Sequence, residues 1–157
     1  MFTKSRRLFL RSSAAIGVVL SLVSAAFAAE PIVIGIPAVQ SGPVGVADHQ
    51  DWTNGAMMAI DELNAKGGVL GRQLEAKIID LDMLSPEGNV AGFQSLIEAG
   101  AHAIASAFTI IPQPAMDTAA PSGIPYVHGN TSTVNVDLYK GDPQKYRNVF
   151  QLDVAEK

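Results

Sequence analysis

Two short loops hold the residues of this sequence best suited to grip a small polar molecule. The first is Phe108-Thr109-Ile110-Ile111-Pro112-Gln113-Pro114, whose prolines suit the opening turn of a short helix running toward Ala120. A helix start leaves backbone N–H groups unbonded and carries a partial positive charge, so it suits a carboxylate, with the Thr109 hydroxyl as an added donor. The charge-assisted hydrogen bond contributes about 1.5 to 3 kcal/mol and the helix terminus about 0.3 to 2 kcal/mol, so the anion is held weakly. The second loop is Gly129-Asn130-Thr131-Ser132-Thr133, and a third turn contains Ser41-Gly42-Pro43. On residue type and spacing alone, the first two loops read more simply as ordinary polar turns.

Other chemistries have no motif behind them. His49, His102 and His128 show no i, i+4 pair and no HExxH, so core or surface histidines are the simpler reading. Asp80 and Asp82 share one face of a predicted strand, and with Asp117 they offer paired carboxylates, but residues of this kind more often end a strand and face water. There is no GxSxG, no phosphate loop ending in GK[ST] and no GxGxxG after the first strand. No catalytic residue, metal or cofactor is expected.

The elements that must position the loops alternate between strand and helix. From Trp52, the residues Ala56, Ala59, Ile60 and Leu63 form one helical stripe, with Asn54, Asp61, Glu62 and Lys66 on the other face. Met57 and Met58 read as packing residues of the same helix. Gly67 and Gly68 end it, Gly71 lies in the turn from Val69 to Arg72, and residues 74–82 follow as a strand. The preceding strand, residues 32–36, is apolar at nearly every position, as befits a strand covered on both faces.

Ser85-Pro86-Glu87 reads as a helix start, and Val90, Phe93, Leu96 and Ile97 give that helix its apolar side up to Gly100. An alanine-rich strand over residues 101–108 and a fourth strand over residues 124–127 come next. Residues 130–147 show no periodic pattern, and residues 149–152 read as one further extended segment. Alternation of this kind implies right-handed crossovers and an α/β three-layer sandwich with a mostly parallel open sheet. Ligands of such sheets bind at the carboxyl ends of the strands, where all three polar turns lie.

A chain of 157 residues with this patterning fits one domain with a sizeable core. Lys4, Arg6, Arg7 and Arg11 all precede residue 30; without them, seven basic residues face fifteen acidic ones, a net of about −8. So acidic a body excludes nucleic acid as a partner and offers no basic patch to an anionic membrane. The sequence has no cysteine, hence no disulfide, no thiolate metal site and no lipid-anchored Cys; no stable membrane anchor is expected. Residues 1–28 read as a signal peptide: arginines in SRRLFLR, an apolar run over residues 14–26, and Ala26-Phe27-Ala28 as the cleavage site. The arginine pair is similar to a twin-arginine export signal, and an ordinary secretory n-region is the alternative.

Ile32-Val-Ile-Gly-Ile-Pro, then Ser41-Gly-Pro, then AIDELNAKGGVLGRQLE from Ala59 to Glu75, resemble the N-terminal lobe of the periplasmic branched-chain amino-acid-binding family. The resemblance runs from about Ile32 to the C-terminus, and NAKGGVLGR is its most specific block. It implies the first lobe of a type I periplasmic-binding-protein fold, spanning residues 29–157 and truncated before a second lobe. It further implies a periplasmic solute-binding component of an ABC importer, which captures a small amino acid, amide or carboxylate by two-lobe closure and delivers it to a membrane permease. By the same resemblance Thr109 aligns with a carboxylate-binding hydroxyl, and Asn130 and Ser132 with positions that contact the ligand's amino and carboxylate groups. The loop with Ser41 corresponds to one that borders the cleft in the family, and Ser41 and Phe108 are expected to join the ligand-binding residues.

One departure is Ala47, which stands where the family often places an aromatic over the ligand. Trp52 is a candidate substitute, against its reading as a core residue in the first turn of the helix. Two alternatives stay open: an exported ligand-sensing receptor of the same fold, and a small flavodoxin-like enzyme complete at this length. N-terminal sequencing of the exported protein is expected to begin at Ala29 or Glu30; a chain still starting at Met1 contradicts the signal-peptide reading.

Overall fold

The computed structural model describes residues 29–155; the expected export segment, residues 1–28, lies outside the described residues. Strands β1 (Ile32–Ala38), β2 (Leu74–Asp80), β3 (Ala103–Ser106), β4 (Tyr126–His128) and β5 (Val149–Gln151) pair in parallel in the order β2-β1-β3-β4-β5. Between them run α1 (Val46–Ala65), α2 (Pro86–Glu98), α3 (Pro112–Ala119) and α4 (Thr133–Gly141). The chain steps one way from β1 to β2 and then back past β1, so right-handed crossovers place α1 on one face of the sheet and α2, α3 and α4 on the other. The order reverses between β1 and β3. That switch point, at the carboxyl edge, is where a crevice opens in sheets of this kind.

The denser half of the core lies under α2, α3 and α4. Phe93 and Leu96 of α2, Ile104 of β3, Met116 of α3 and Tyr126 of β4 are all almost wholly excluded from water. The Phe93 and Tyr126 rings meet edge to face at 4.8 Å, a favoured arrangement for aromatic quadrupoles. On the other face of the sheet, Ala105, Val127 and Phe150 stand in register across β3, β4 and β5. Phe150 there is 50% exposed, while Ala105 and Val127 are partly buried, so this face of the sheet is only partly covered among the described residues and most open at β5.

The block that carried the resemblance is fixed by local bonds. The Asn64 side chain accepts the Leu74 N–H at 2.7 Å and donates to the Leu74 carbonyl at 2.9 Å, tying the end of α1 to the start of β2. Between them, Val69 and Arg72 exchange backbone hydrogen bonds of 2.8 and 3.0 Å, and Gly68 adopts φ 78° against this turn. Arg72 then reaches back to the Glu30 and Pro31 carbonyls at 2.6 and 3.0 Å, anchoring the entry to β1.

Several element boundaries differ from the sequence reading, each for a physical reason. Helix α1 begins at Val46, so Trp52 lies in its second turn and is half-buried. Of the expected stripe only Ile60 is buried; Ala59 and Leu63 are exposed, because α1 covers just the β1–β2 side of the sheet. In α2, Phe93 and Leu96 face the core as expected, while Val90 is exposed and Asn89 is buried in its place. Asn89 is tied into the preceding loop by its bond to the Ser85 carbonyl at 2.9 Å. Strand β2 stops at Asp80, β3 covers only Ala103–Ser106, and β4 is shifted to Tyr126–His128.

The largest difference is α4, which occupies a stretch with no apolar period. Its buried residue is Asn135, and a polar residue at the core position hides the helical signal.

Gly68 and Gly71 separate two effects of adding a methyl group. A Cβ on Gly68 would fall 1.9 Å from the Arg72 carbonyl oxygen, whereas one on Gly71 would meet nothing within 4 Å, although both have positive φ. Gly71→Ala is therefore expected to cost about 1 kcal/mol from the left-handed backbone alone, and Gly68→Ala at least about twice that. Urea unfolding measures both, and equal losses would contradict the close approach.

Candidate functional site

In a parallel sheet every strand-to-helix loop opens on the same edge, so the starts of α1, α2, α3 and α4 gather there with their unbonded N–H groups, fewer at α2 and α3 because Pro86, Pro112 and Pro114 carry none. Two of these starts are closed by serines. Ser85 accepts the Gly88 N–H at 3.0 Å and Ser132 accepts the Val134 N–H at 3.3 Å. The other two, α1 after Gly45 and α3 after Ile111, have no side-chain cap. They are the helices that follow β1 and β3, the strands on either side of the switch point.

The loops after β3 and β4 are joined by Asn130. Its buried carboxamide donates to the Thr109 carbonyl at 2.9 Å and accepts the Ser132 N–H at 3.1 Å. The structure thus brings Phe108, Thr109, Asn130 and Ser132 together. The Asn130 carboxamide uses one donor and its oxygen in that bracket, and its main-chain N–H is bonded to His128 Nδ1. Ser132 uses an oxygen lone pair as the cap of α4 and keeps its hydroxyl proton for donation. The Thr109 hydroxyl is buried and has no partner among the described residues. Phe108 packs its ring on His49 of α1, centroid to centroid 4.9 Å.

Ser41 is placed differently. Asp80, at the end of β2, accepts the Ser41 hydroxyl at 2.5 Å and the Gln40 and Ser41 N–H groups at 2.8 and 3.2 Å. The Ser41 hydroxyl bond, then the Gln40 N–H, hold the Asp80 carboxyl below its ordinary pKa. Asp82 is lowered in the same way, first by the Ser85 hydroxyl and then by the Leu84 N–H. Both carboxylates are exposed, as read from the sequence, yet each fastens a loop. Ser41, Asp80 and Asp82 line a pocket of about 310 Å³ over β1 and β2, apart from the Thr109–Asn130 bracket. Ala47 is exposed on α1 and supplies no aromatic there.

Below Asn130 lies His128, 1% exposed. Its Nδ1 accepts the Asn130 N–H at 3.3 Å, so in the neutral ring the proton sits on Nε2, 3.3 Å from the Asn135 carboxamide. The Asn135 Nδ2 stands at this contact and its Oδ1 is without a partner among the described residues; an Nε2 proton needs an acceptor, so turning the carboxamide over satisfies both groups. Burial pushes the His128 pKa down to about 4. None of these supporting roles was visible in the sequence: His128, Asn135, His49 and Asp80 follow no spacing rule, and only the fold brings them beneath the loops.

A model of the periplasmic binding protein family matches residues 31–156. This chain belongs to that family. Among relatives of the periplasmic binding protein family, the Leu/Ile/Val-binding protein BraC3 of Rhizobium johnstonii is 33% identical over 107 residues, 68% of this chain and 29% of that protein. A crystal structure of a branched-chain amino acid ABC transporter candidate from Silicibacter pomeroyi superposes with a TM-score of 0.75 at 34% identity, over 80% of this chain and 32% of that one. The Streptococcus pneumoniae protein LivJ, solved with isoleucine, shares the fold at a TM-score of 0.65 and 22% identity, over 80% of this chain and 34% of its own. The chain therefore spans about a third of the length of these relatives. The α/β sheet and the family membership expected from the sequence both hold. No helix among the described residues is long and apolar enough to cross a membrane.

His128 gives the fold a pH dependence of defined sign. Its pKa is about 4 folded against 6.5 as the ordinary value, so its contribution is fully present above 6.5 and is lost as pH falls toward 4. Unfolding free energy is expected to drop by about 2 kcal/mol between pH 7 and pH 5 on this account. Urea titration of the protein and of His128→Gln checks it: the variant should lose correspondingly less over that interval, and parallel losses would refute the assignment.

Proposed function

We propose that this chain supplies one lobe of the solute-binding component of an ABC importer, exported to the periplasm, which captures a small amino acid or related amide or carboxylate by closure of two lobes. The observation that carries the reading is the buried Thr109 hydroxyl, without a partner among the described residues, in the loop that leads from β3 to the uncapped start of α3. A carboxylate there would accept from main-chain N–H groups of α1 or from the Gln113 N–H of α3, whose Pro112 and Pro114 have none, and from Thr109 after rotation of its side chain, with Ser132 as a further donor. The Asn130 bracket holds the β3 and β4 loops at fixed spacing, so their main chains are set in place before the ligand arrives.

Ser41, anchored by Asp80, forms the rim on the β2 side in this scheme. A ligand bridging these loops to a second lobe would bias an open-to-closed equilibrium, and the closed form is the one a permease would receive. Micromolar affinity needs about −8 kcal/mol, which the donors of one lobe fall short of once ordering is subtracted. Membership of the family and the name of BraC3 as a Leu/Ile/Val-binding protein support branched-chain amino acids as the first compounds to try.

Calorimetry on the protein expressed from its full reading frame, with leucine, isoleucine, valine and their amides, tests the reading. Thr109→Val is expected to weaken binding about tenfold or more, the equivalent of about 1.4 kcal/mol, and Thr109→Ser to retain it. Unchanged affinity in the valine variant would remove Thr109 from the site, and micromolar binding by the 157-residue chain alone would contradict the need for two lobes.

A further inference from the structure

The fold treats its methionine thioethers very differently. Met83 is 2% exposed, with its methyl lying where a Cβ on Gly45 would point, and Met116 is 1% exposed within the core under α3. Met57 is partly buried in α1. Met58 is 73% exposed. The buried side of α1 carries His49, Thr53 and Ile60, and Met58 lies about 200° around the helix from Ile60, facing away from the sheet.

A large exposed apolar side chain invites a docking reading, but the neighbours of Met58 argue against one. At i−4, i+3 and i+4 stand Asn54, Asp61 and Glu62, all exposed, so no apolar patch surrounds the thioether. What remains distinctive is the sulfur itself. A thioether lone pair attacks one oxygen of a hydroperoxide: the S–O bond forms, the O–O bond breaks, and with hydrogen peroxide the other oxygen leaves as water. Sulfur is oxidised by two electrons to the sulfoxide and the peroxide is reduced. The product is polar and chiral, which disrupts a core but is readily solvated on a surface. On the outer face of α1 the new oxygen points into water, and a methionine sulfoxide reductase can reach it.

We propose that Met58 is a site of reversible oxidation by peroxides, at which the protein takes up an oxygen atom without loss of its fold. Burial of Met83 and Met116 confines their reaction to molecules that have opened locally, so the folded chain directs the oxidant to α1. The proposal stands on the contrast in exposure, whatever the polar turns bind.

The protein expressed from its full reading frame is treated with hydrogen peroxide, sampled over time, digested and read by mass spectrometry. Met58 is expected to gain one oxygen first, at least about tenfold faster than Met83 or Met116 and ahead of Met57. The singly oxidised protein should keep its thermal midpoint within about 2 °C, and a methionine sulfoxide reductase should remove the added oxygen without unfolding it. Met58→Leu should abolish the fast phase. A Met58 that reacts no faster than Met83 or Met116, a fast phase that survives in the leucine variant, or a midpoint that falls by several degrees on oxidation at Met58 alone would each overturn the proposal. Failure of the reductase on the folded protein would overturn its reversibility.

Discussion

The constraint behind every feature of this molecule is that a parallel sheet sends all its helices off from one edge. Each strand must be followed by a crossover, each crossover here is a helix, and each helix begins with N–H groups that the helix itself cannot satisfy. Four such starts converge on the carboxyl edge, and the chain deals with them unequally. Ser85 and Ser132 close two, while the starts flanking the reversal of strand order are left without a side-chain cap. The concentration of donors at the crevice is thus a by-product of topology, sharpened by where the serines are placed.

Around that edge the polar side chains work mainly as fasteners. Asp80 pins the turn after β1, Asp82 the turn after β2, and Asn130 spans the turns after β3 and β4. His128 and Asn135 form a layer beneath Asn130, and His49 lies beneath Phe108. A loop on the surface of a protein is ordinarily its most mobile part. Here each turn is held by at least one buried or bidentate contact, so the edge is preorganised and less of any binding energy is consumed in ordering it.

The alternation of strands and helices was legible because β1 is apolar almost throughout and because glycine and proline mark the ends of α1 and the start of α2. What the sequence hid was α4, whose inward residue is an asparagine, and the true start of α1, whose inward residues at that end are His49 and Thr53. Apolar periodicity cannot register a helix that turns polar groups to the core. The same blindness affected the site. Thr109 and Asn130 lie 21 positions apart and meet only because β3 and β4 are neighbours in register, while Ser41 could not be seen to face Asp80 until β2 was placed beside β1. Short-range pattern reads the elements, and pairing in space reads the partnerships.

The open β5 end of the sheet, at Phe150, has a consequence for handling the molecule. β5 ends the sheet with one flank of main-chain donors and acceptors unpaired by any described strand, beside a half-exposed aromatic ring. An unguarded border of this kind is a template for strand addition, so at high concentration the piece spanning these residues should stick to itself edge to edge unless another segment shields it. Solubility would then report on whether that border is covered, independently of anything the molecule binds.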